Sequence, residues 1–246
     1  MSLAEAGAPS ARIERHDGWG ELILSRPARR NALTGPMVDD LRAGLADLLA
    51  AGARVVLLRG EGGAFCSGLD VDAFGADPAP AWRASWPAAY LGFHRELHAC
   101  PAVIVGALER FAINGGSSLA LACDLLVAGE GAYLVVGEAA IGMHAPMNIA
   151  WLRLRASEAV AAQLLLGAER MSGPELHRLG LAYRVVPDAE VAAAAHALAE
   201  KLGGYRGEAL AAIKRSLRAP LAAGGDVFAA VQPTGFRGEG PLRLGR

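Results

Sequence analysis

The sequence predicts an α/β protein whose sheet is covered on both faces. Three observations carry this. Continuous apolar runs such as RVVLLRG (54–60) and PAVIVGAL (101–108) read as fully buried strands. Amphipathic helical stretches alternate with them. The 246 residues suffice to bury a full core.

In chain order, ARIERH and WGELILS form two short strands joined at His16-Asp17-Gly18, a hairpin signal. A polar loop through Arg29 and Arg30 precedes a helix capped by Thr34, with Pro36 in its first turn and Gly52 at its end. Strand RVVLLRG leads into the glycine-rich loop GEGGAFCSGLD. A Pro/Ala-rich stretch follows, then an amphipathic helix to about Ala99 and the strand PAVIVGAL. Gly115 and Gly116 open the helix SSLALAC, and LLVAG and AYLVV are short strands. Helices are expected over 156–166, 173–179 and 189–202, with YRVV a strand between the last two, and then from about Gly203 to Ala219. The tail VQPTGFRGEGPLRLGR has no periodicity and is expected to be mobile or docked on a neighbour.

Composition narrows the function classes. A hydrophobic fraction of 53% and net charge of −1 describe a soluble globule, and 24 cationic against 25 acidic side chains give no field for nucleic acid. The N-terminus MSLAEAGAPS has no basic region followed by an apolar block, so a cytoplasmic protein is expected. LALACDLLVAG is interrupted by Asp124 and too short to span a bilayer, so no membrane partner is expected. Cys66, Cys100 and Cys123 are odd in number and widely spaced, which fits neither a disulfide framework nor a zinc cluster, and no metal is expected.

Chemistry concentrates in three places. VVGEAAIG (135–142) sets Glu138 between two glycines in an apolar run, where burial would raise its pKa. The turns Cys66-Ser67-Gly68-Leu69-Asp70 and Asn114-Gly115-Gly116-Ser117-Ser118 each follow a buried strand, and glycine lets backbone N–H groups approach a ligand closely.

The ordered set SRPARRNAL, VVLLRGEGGAFCSGLDV, PAVIVGALERFAINGGSSLALACDLLVA, VGEAAIG and LLLGAERMSGPELHRLGLAYRVV resembles the enoyl-CoA hydratase/isomerase (crotonase) superfamily from about Ala11 to Ala219. The resemblance implies a ClpP/crotonase spiral of β-β-α units over 11–186. It also implies a helical C-terminal trimerisation region with an irregular tail over 187–246. The partner is then an acyl-CoA thioester, with coenzyme A carried by the substrate and no separate cofactor, in a homotrimer or a dimer of trimers. Matching FCSGLDV and INGGSSLALACD to the family's turns puts the two amides that hold the thioester carbonyl on Leu69 and Gly115, and Glu138 matches the acid/base glutamate. Arg29, Arg30, Ala32, Ser67, Gly68, Asp70, Val71, Gly116, Ser118 and His144 fall on the CoA- and acyl-binding surface, and Asn148 could line the acyl pocket.

Departures from the pattern set the subclass. Ser118 stands where hydratases carry the second glutamate that holds water, and VGEAAIGMHAP resembles the Δ3,Δ2-enoyl-CoA isomerases, which shuttle a proton with one glutamate. A hydroxyl cannot accept a proton from water as a carboxylate does, so the isomerase reading leads. Leu108-Glu109-Arg110-Phe111 replaces an Asn-Gly turn and Asn114 replaces a glycine. Alternatives are an enoyl-CoA hydratase, a thioester hydrolase acting through Ser117 or Ser118 without a histidine placed by sequence, and a non-catalytic acyl-CoA-binding protein.

Overall fold

The computed structural model describes residues 9–218, so the expected irregular tail lies outside the described residues. Strands β1 (Ala11–His16) and β2 (Trp19–Leu24) form the expected hairpin. Helix α1 (Gly35–Ala50) starts at Thr34, whose hydroxyl accepts from Met37 N–H at 3.3 Å. Strand β3 (Val55–Gly60), the short helix α2 (Val71–Phe74), helix α3 (Trp86–Ala99) and strand β4 (Val103–Leu108) follow. Next come β5 (Phe111–Ile113), α4 (Gly115–Ala122), β6 (Leu125–Gly129) and β7 (Tyr133–Val135). The chain continues through α5 (Pro146–Arg155), α6 (Glu158–Gly167), β8 (Met171–Ser172) and α7 (Gly173–Arg178). Strand β9 (Arg184–Val186) and helices α8 (Val191–Gly203) and α9 (Gly207–Arg218) complete it. The sequence reading lacks α2, β5, α5 and β8. Three of these are four residues or shorter, too short for a period to register.

Six strands form one sheet in the order β1-β2-β3-β4-β6-β9, parallel except for the β1-β2 hairpin, and β5, β7 and β8 form a second. Alternation along the central strands explains why their sequences are apolar throughout. Val55, Leu57, Val103 and Val105 pack with Val191, Ala195 and Ala199 of α8 on one face. Val56, Leu58, Ile104 and Leu108 pack with Leu41, Phe93 and Leu119 of α1, α3 and α4 on the other. One polar group interrupts the α8 face. Glu21 of β2, 1% exposed, accepts from Arg59 Nε at 2.5 Å and pairs with His16 and His196 Nε2 at 2.9 and 3.2 Å. Burial alone would raise this carboxyl, but the hydrogen bonds outweigh it and hold it down to about 2.

All three cysteines are buried and unbridged, and burial pushes the Cys66 and Cys123 thiols up to about 12. They are packing residues with no nucleophilic character. Among the described residues no helix is long and apolar enough to cross a membrane.

Candidate active site

The two glycine-bearing turns meet at the end of the large sheet. Cys66 bridges Ala112, with Ile113 N–H donating to Cys66 O at 3.0 Å. Leu69 bridges Leu33 through Leu33 N–H to Gly68 O (2.7 Å) and Asp70 N–H to Leu33 O (2.9 Å). In an extended backbone successive N–H groups alternate sides, so Leu69 N–H points away from Leu33. Neither it nor Gly115 N–H donates to another group of the described residues. The close fit requires glycine at two positions. A Cβ on Gly68, where φ is +88°, would lie 2.7 Å from Ile113 O, and one on Gly116 would lie 2.5 Å from Cys66 O.

The departures at Arg110, between β4 and β5, and at Asn114, in the second turn, share a backbone reason. Arg110 and Asn114 sit at φ 53° and 51°, a left-handed conformation that glycine adopts without cost. Asn114 is held there by its side chain, whose Oδ1 accepts from Gly137 N–H at 2.8 Å, and by its own N–H donating to Val135 O at 2.9 Å. The glutamate segment is thereby fastened to the glycine turn.

Glu138 follows Gly137 directly and is 9% exposed. Burial raises its carboxyl above the ordinary range, partly offset by its own backbone N–H and by the Asn148 amide, which donates to Oε1 at 3.2 Å. Its Oε2 has no donor among the described residues. Helix α5, which carries Asn148, clamps α4 at both ends. Asn148 Nδ2 donates to Asn114 O at 3.1 Å before the first turn, and Arg155 donates to Leu121 O at 3.0 Å in the last.

Ser118 is fully buried on α4 and engaged in a network that the sequence could not place. Its hydroxyl lies 2.8 Å from Tyr90 Oη, 3.2 Å from His94 Nε2 and 2.7 Å from Gly115 O, and Tyr90 Oη also donates to Gly115 O at 2.6 Å. A histidine thus does stand beside the serine, brought there by the fold and not by any motif in the sequence. Its tautomer makes it the wrong partner for a nucleophile. Trp151 Nε1–H can only donate, and it donates to His94 Nδ1 at 2.9 Å. The ring proton therefore sits on Nε2 and points at Ser118. Burial holds His94 down to about 3, so the neutral ring donates to Ser118 and cannot take its proton. Ser117 is equally committed, donating to Ala112 O at 2.9 Å or Val135 O at 2.7 Å.

The remaining expected binding residues distribute unevenly. Gly116 and Ala32 are buried at the turns, and Ser67 N–H donates to Arg30 O at 3.1 Å, which brings the arginine loop beside the first turn. Arg29 is committed to Asp70 (3.0 Å) and Asp72 (2.8 Å), and Arg26 donates to Asp70 at 2.9 Å. Asp70 also accepts from Ala73 N–H at 3.1 Å, so it caps α2. Arg30, Val71 and His144 are exposed. Sequence reasoning missed Tyr90, His94 and Trp151, which lie on α3 and α5 with no motif around them.

Residues 14–228 match the family model described as "Enoyl-CoA hydratase/isomerase". A Rhodobacter capsulatus protein named "Probable enoyl-CoA hydratase" is 30% identical over 85% of this chain and 81% of its own. The 1,2-epoxyphenylacetyl-CoA isomerase of Escherichia coli is 30% identical over 80% of this chain and 77% of its own. Among solved structures, a Thermobifida fusca protein assigned as an enoyl-CoA hydratase, in complex with acetoacetyl-CoA, superposes with a TM-score of 0.76. It is 31% identical and covers 88% of this chain and 89% of its own.

Proposed function

The chain belongs to the enoyl-CoA hydratase/isomerase family of acyl-CoA enzymes, with the crotonase fold, and from that premise we propose that it shifts the double bond of 3-enoyl-CoA to 2-enoyl-CoA. One observation carries the choice. Glu138 stands beside the glycine turn with no cationic partner among the described residues, whereas Asp70 of the first turn is paired with Arg26 and Arg29, and the place of a second acid/base carboxylate is taken by Ser118, closed into a neutral network with Tyr90 and His94.

In this reading the thioester oxygen lies between Leu69 N–H and Gly115 N–H. Glu138 Oε2 takes the proton from C2, the negative charge passes to the thioester oxygen as a dienolate, and the same carboxyl returns the proton at C4. Two preorganised N–H donors stabilise the dienolate, and loss of one such donor typically costs about 3 kcal/mol. The raised carboxyl suits both halves, because burial moves it upward toward the working pH and so eases return of the proton it takes. Hydration would need a second group to hold and deprotonate water, and neutral Ser118 offers none. By the same family likeness we propose a homotrimer or a dimer of trimers.

Incubation with 3-enoyl-CoA and with 2-enoyl-CoA in deuterated water, followed by mass spectrometry of both pools, tests this. Interconversion with deuterium at C2 and C4 is expected. Conversion of 2-enoyl-CoA to 3-hydroxyacyl-CoA as the main reaction would refute it, and acyl-CoA binding with no exchange would favour a binding protein.

A further inference from the structure

The side chain of Asn148 reaches two groups that are far apart in sequence. Its Nδ2 carries two hydrogens and faces two acceptors, Asn114 O at 3.1 Å and Glu138 Oε1 at 3.2 Å. Neither partner offers a hydrogen in the ionised state, so the amide cannot be turned around without setting oxygen against oxygen. Asn114 O also accepts from Ser118 N–H at 3.2 Å. This carbonyl belongs to the peptide whose nitrogen is that of Gly115. In a trans peptide C=O and N–H point in opposite directions, so a donor fixed on the carbonyl sets the direction of Gly115 N–H and polarises it. Asn148 is 2% exposed and its Oδ1 has no partner among the described residues. A buried amide with one half unsatisfied carries a desolvation cost that a leucine of similar size would avoid, which argues against a purely packing role.

We infer that Asn148 is a positioning residue that ties the glycine turn to the glutamate, holding Gly115 N–H and the Glu138 carboxylate in a fixed relation across one substrate. This rests on the oxyanion and acid/base roles given above to Gly115 and Glu138. The link is direct, through one side-chain nitrogen, and adds to the constraint of the Asn114–Gly137 bond. Loss of the amide has two separable consequences: the Gly115 peptide can rotate, and Glu138 loses its side-chain donor. The titratable group that faces Glu138 from α3 is Tyr90, whose phenol burial raises so that it stays neutral, and no Lys, Arg or His is bonded to Glu138 among the described residues. Removing the Asn148 donor therefore moves the glutamate further up, and the acid limb of the pH profile with it.

The test uses the full-length Asn148→Ala and Asn148→Asp variants, the second keeping the shape while losing both donors when ionised. Turnover of 3-hexenoyl-CoA is read across pH, and the near-ultraviolet enolate band of bound acetoacetyl-CoA reports polarisation at the oxyanion site. We expect kcat to fall about 10- to 100-fold, short of the loss for deleting an oxyanion donor outright. KM should stay within about threefold, as for an interaction that acts in the transition state. The acid limb should move to higher pH, further in Asn148→Asp because the added carboxylate repels Glu138, and the enolate fraction should drop. Unchanged kcat and enolate fraction in either folded variant, or a loss confined to KM or thermal stability, would overturn the inference. Absence of the band in the wild type would overturn it as well, by removing the oxyanion site. A wild type with the band but without isomerisation would refute the proposed reaction alone, leaving Asn148 to be decided by the enolate fraction.

Discussion

Replacing Glu138 by glutamine separates chemistry from structure unusually well, because the site dictates how the new amide sits. Asn148 Nδ2 donates to Glu138 Oε1 at 3.2 Å, so the glutamine must present its oxygen there and place its NH2 where Oε2 now lies without a partner. One bond is kept, and one unpaired acceptor becomes one unpaired donor. The carboxyl is raised by burial, so its stability contribution is fully present below the ordinary carboxylate pKa and lost as pH rises through the folded value. At neutral pH, Glu138→Gln should therefore leave stability within about 1 kcal/mol of the wild type, on the side of a gain when the carboxylate is ionised. Activity behaves differently. A general acid–base group contributes about 10²- to 10⁴-fold, and a sole base belongs at the upper end, a barrier increase of about 5 kcal/mol. Acyl-CoA affinity should change little, since the backbone donors of Leu69 and Gly115 are untouched. The assay is isomerisation of 3-hexenoyl-CoA together with C2 deuterium exchange, run beside a binding titration and a denaturation curve. Retained exchange in a folded Glu138→Gln protein would remove Glu138 from the chemistry.

Two further perturbations test the surroundings. Ser118→Glu should not confer hydration of 2-enoyl-CoA and should destabilise the fold by several kcal/mol, because Tyr90 Oη at 2.8 Å and His94 Nε2 at 3.2 Å already occupy the hydroxyl's surroundings and the new charge would be buried. A stable variant that forms 3-hydroxyacyl-CoA would show instead that a carboxylate at this position can face Glu138. Glu21, held down to about 2 by Arg59 and two histidines, should add stability that is present above its unfolded pKa near 4.5 and lost as pH falls toward 2. Its full size is about 3 kcal/mol at 1.4 kcal/mol per pH unit. Denaturant curves of wild type and Glu21→Gln should thus converge as pH drops from 7 to 3, and parallel curves would refute the account.

Local signals in the sequence were enough for much of this protein. Thr34 before Pro36, the apolar runs of β3 and β4 and the glycines at 115 and 116 act on the backbone within a few residues of themselves, so they declare their elements wherever the chain goes. The isolated carboxylate at 138 and the serine at 118 were visible for the same reason, as residue types out of keeping with their neighbours. Tertiary structure alone decided the partners. Asn148 becomes significant only when α5 crosses the start of α4 and brings one amide to two acceptors, 34 and 10 residues away. His94 looks like one more helix residue until Trp151 meets its Nδ1, from 57 residues away, and so fixes the proton that disqualifies it as a base. Even the departures at Arg110 and Asn114 were legible only as mismatches until their positive φ angles showed why glycine suits those positions. Periodicity and capping are properties of a segment, whereas a hydrogen bond between side chains depends on where two segments cross, and that crossing is set by the packing of the whole core.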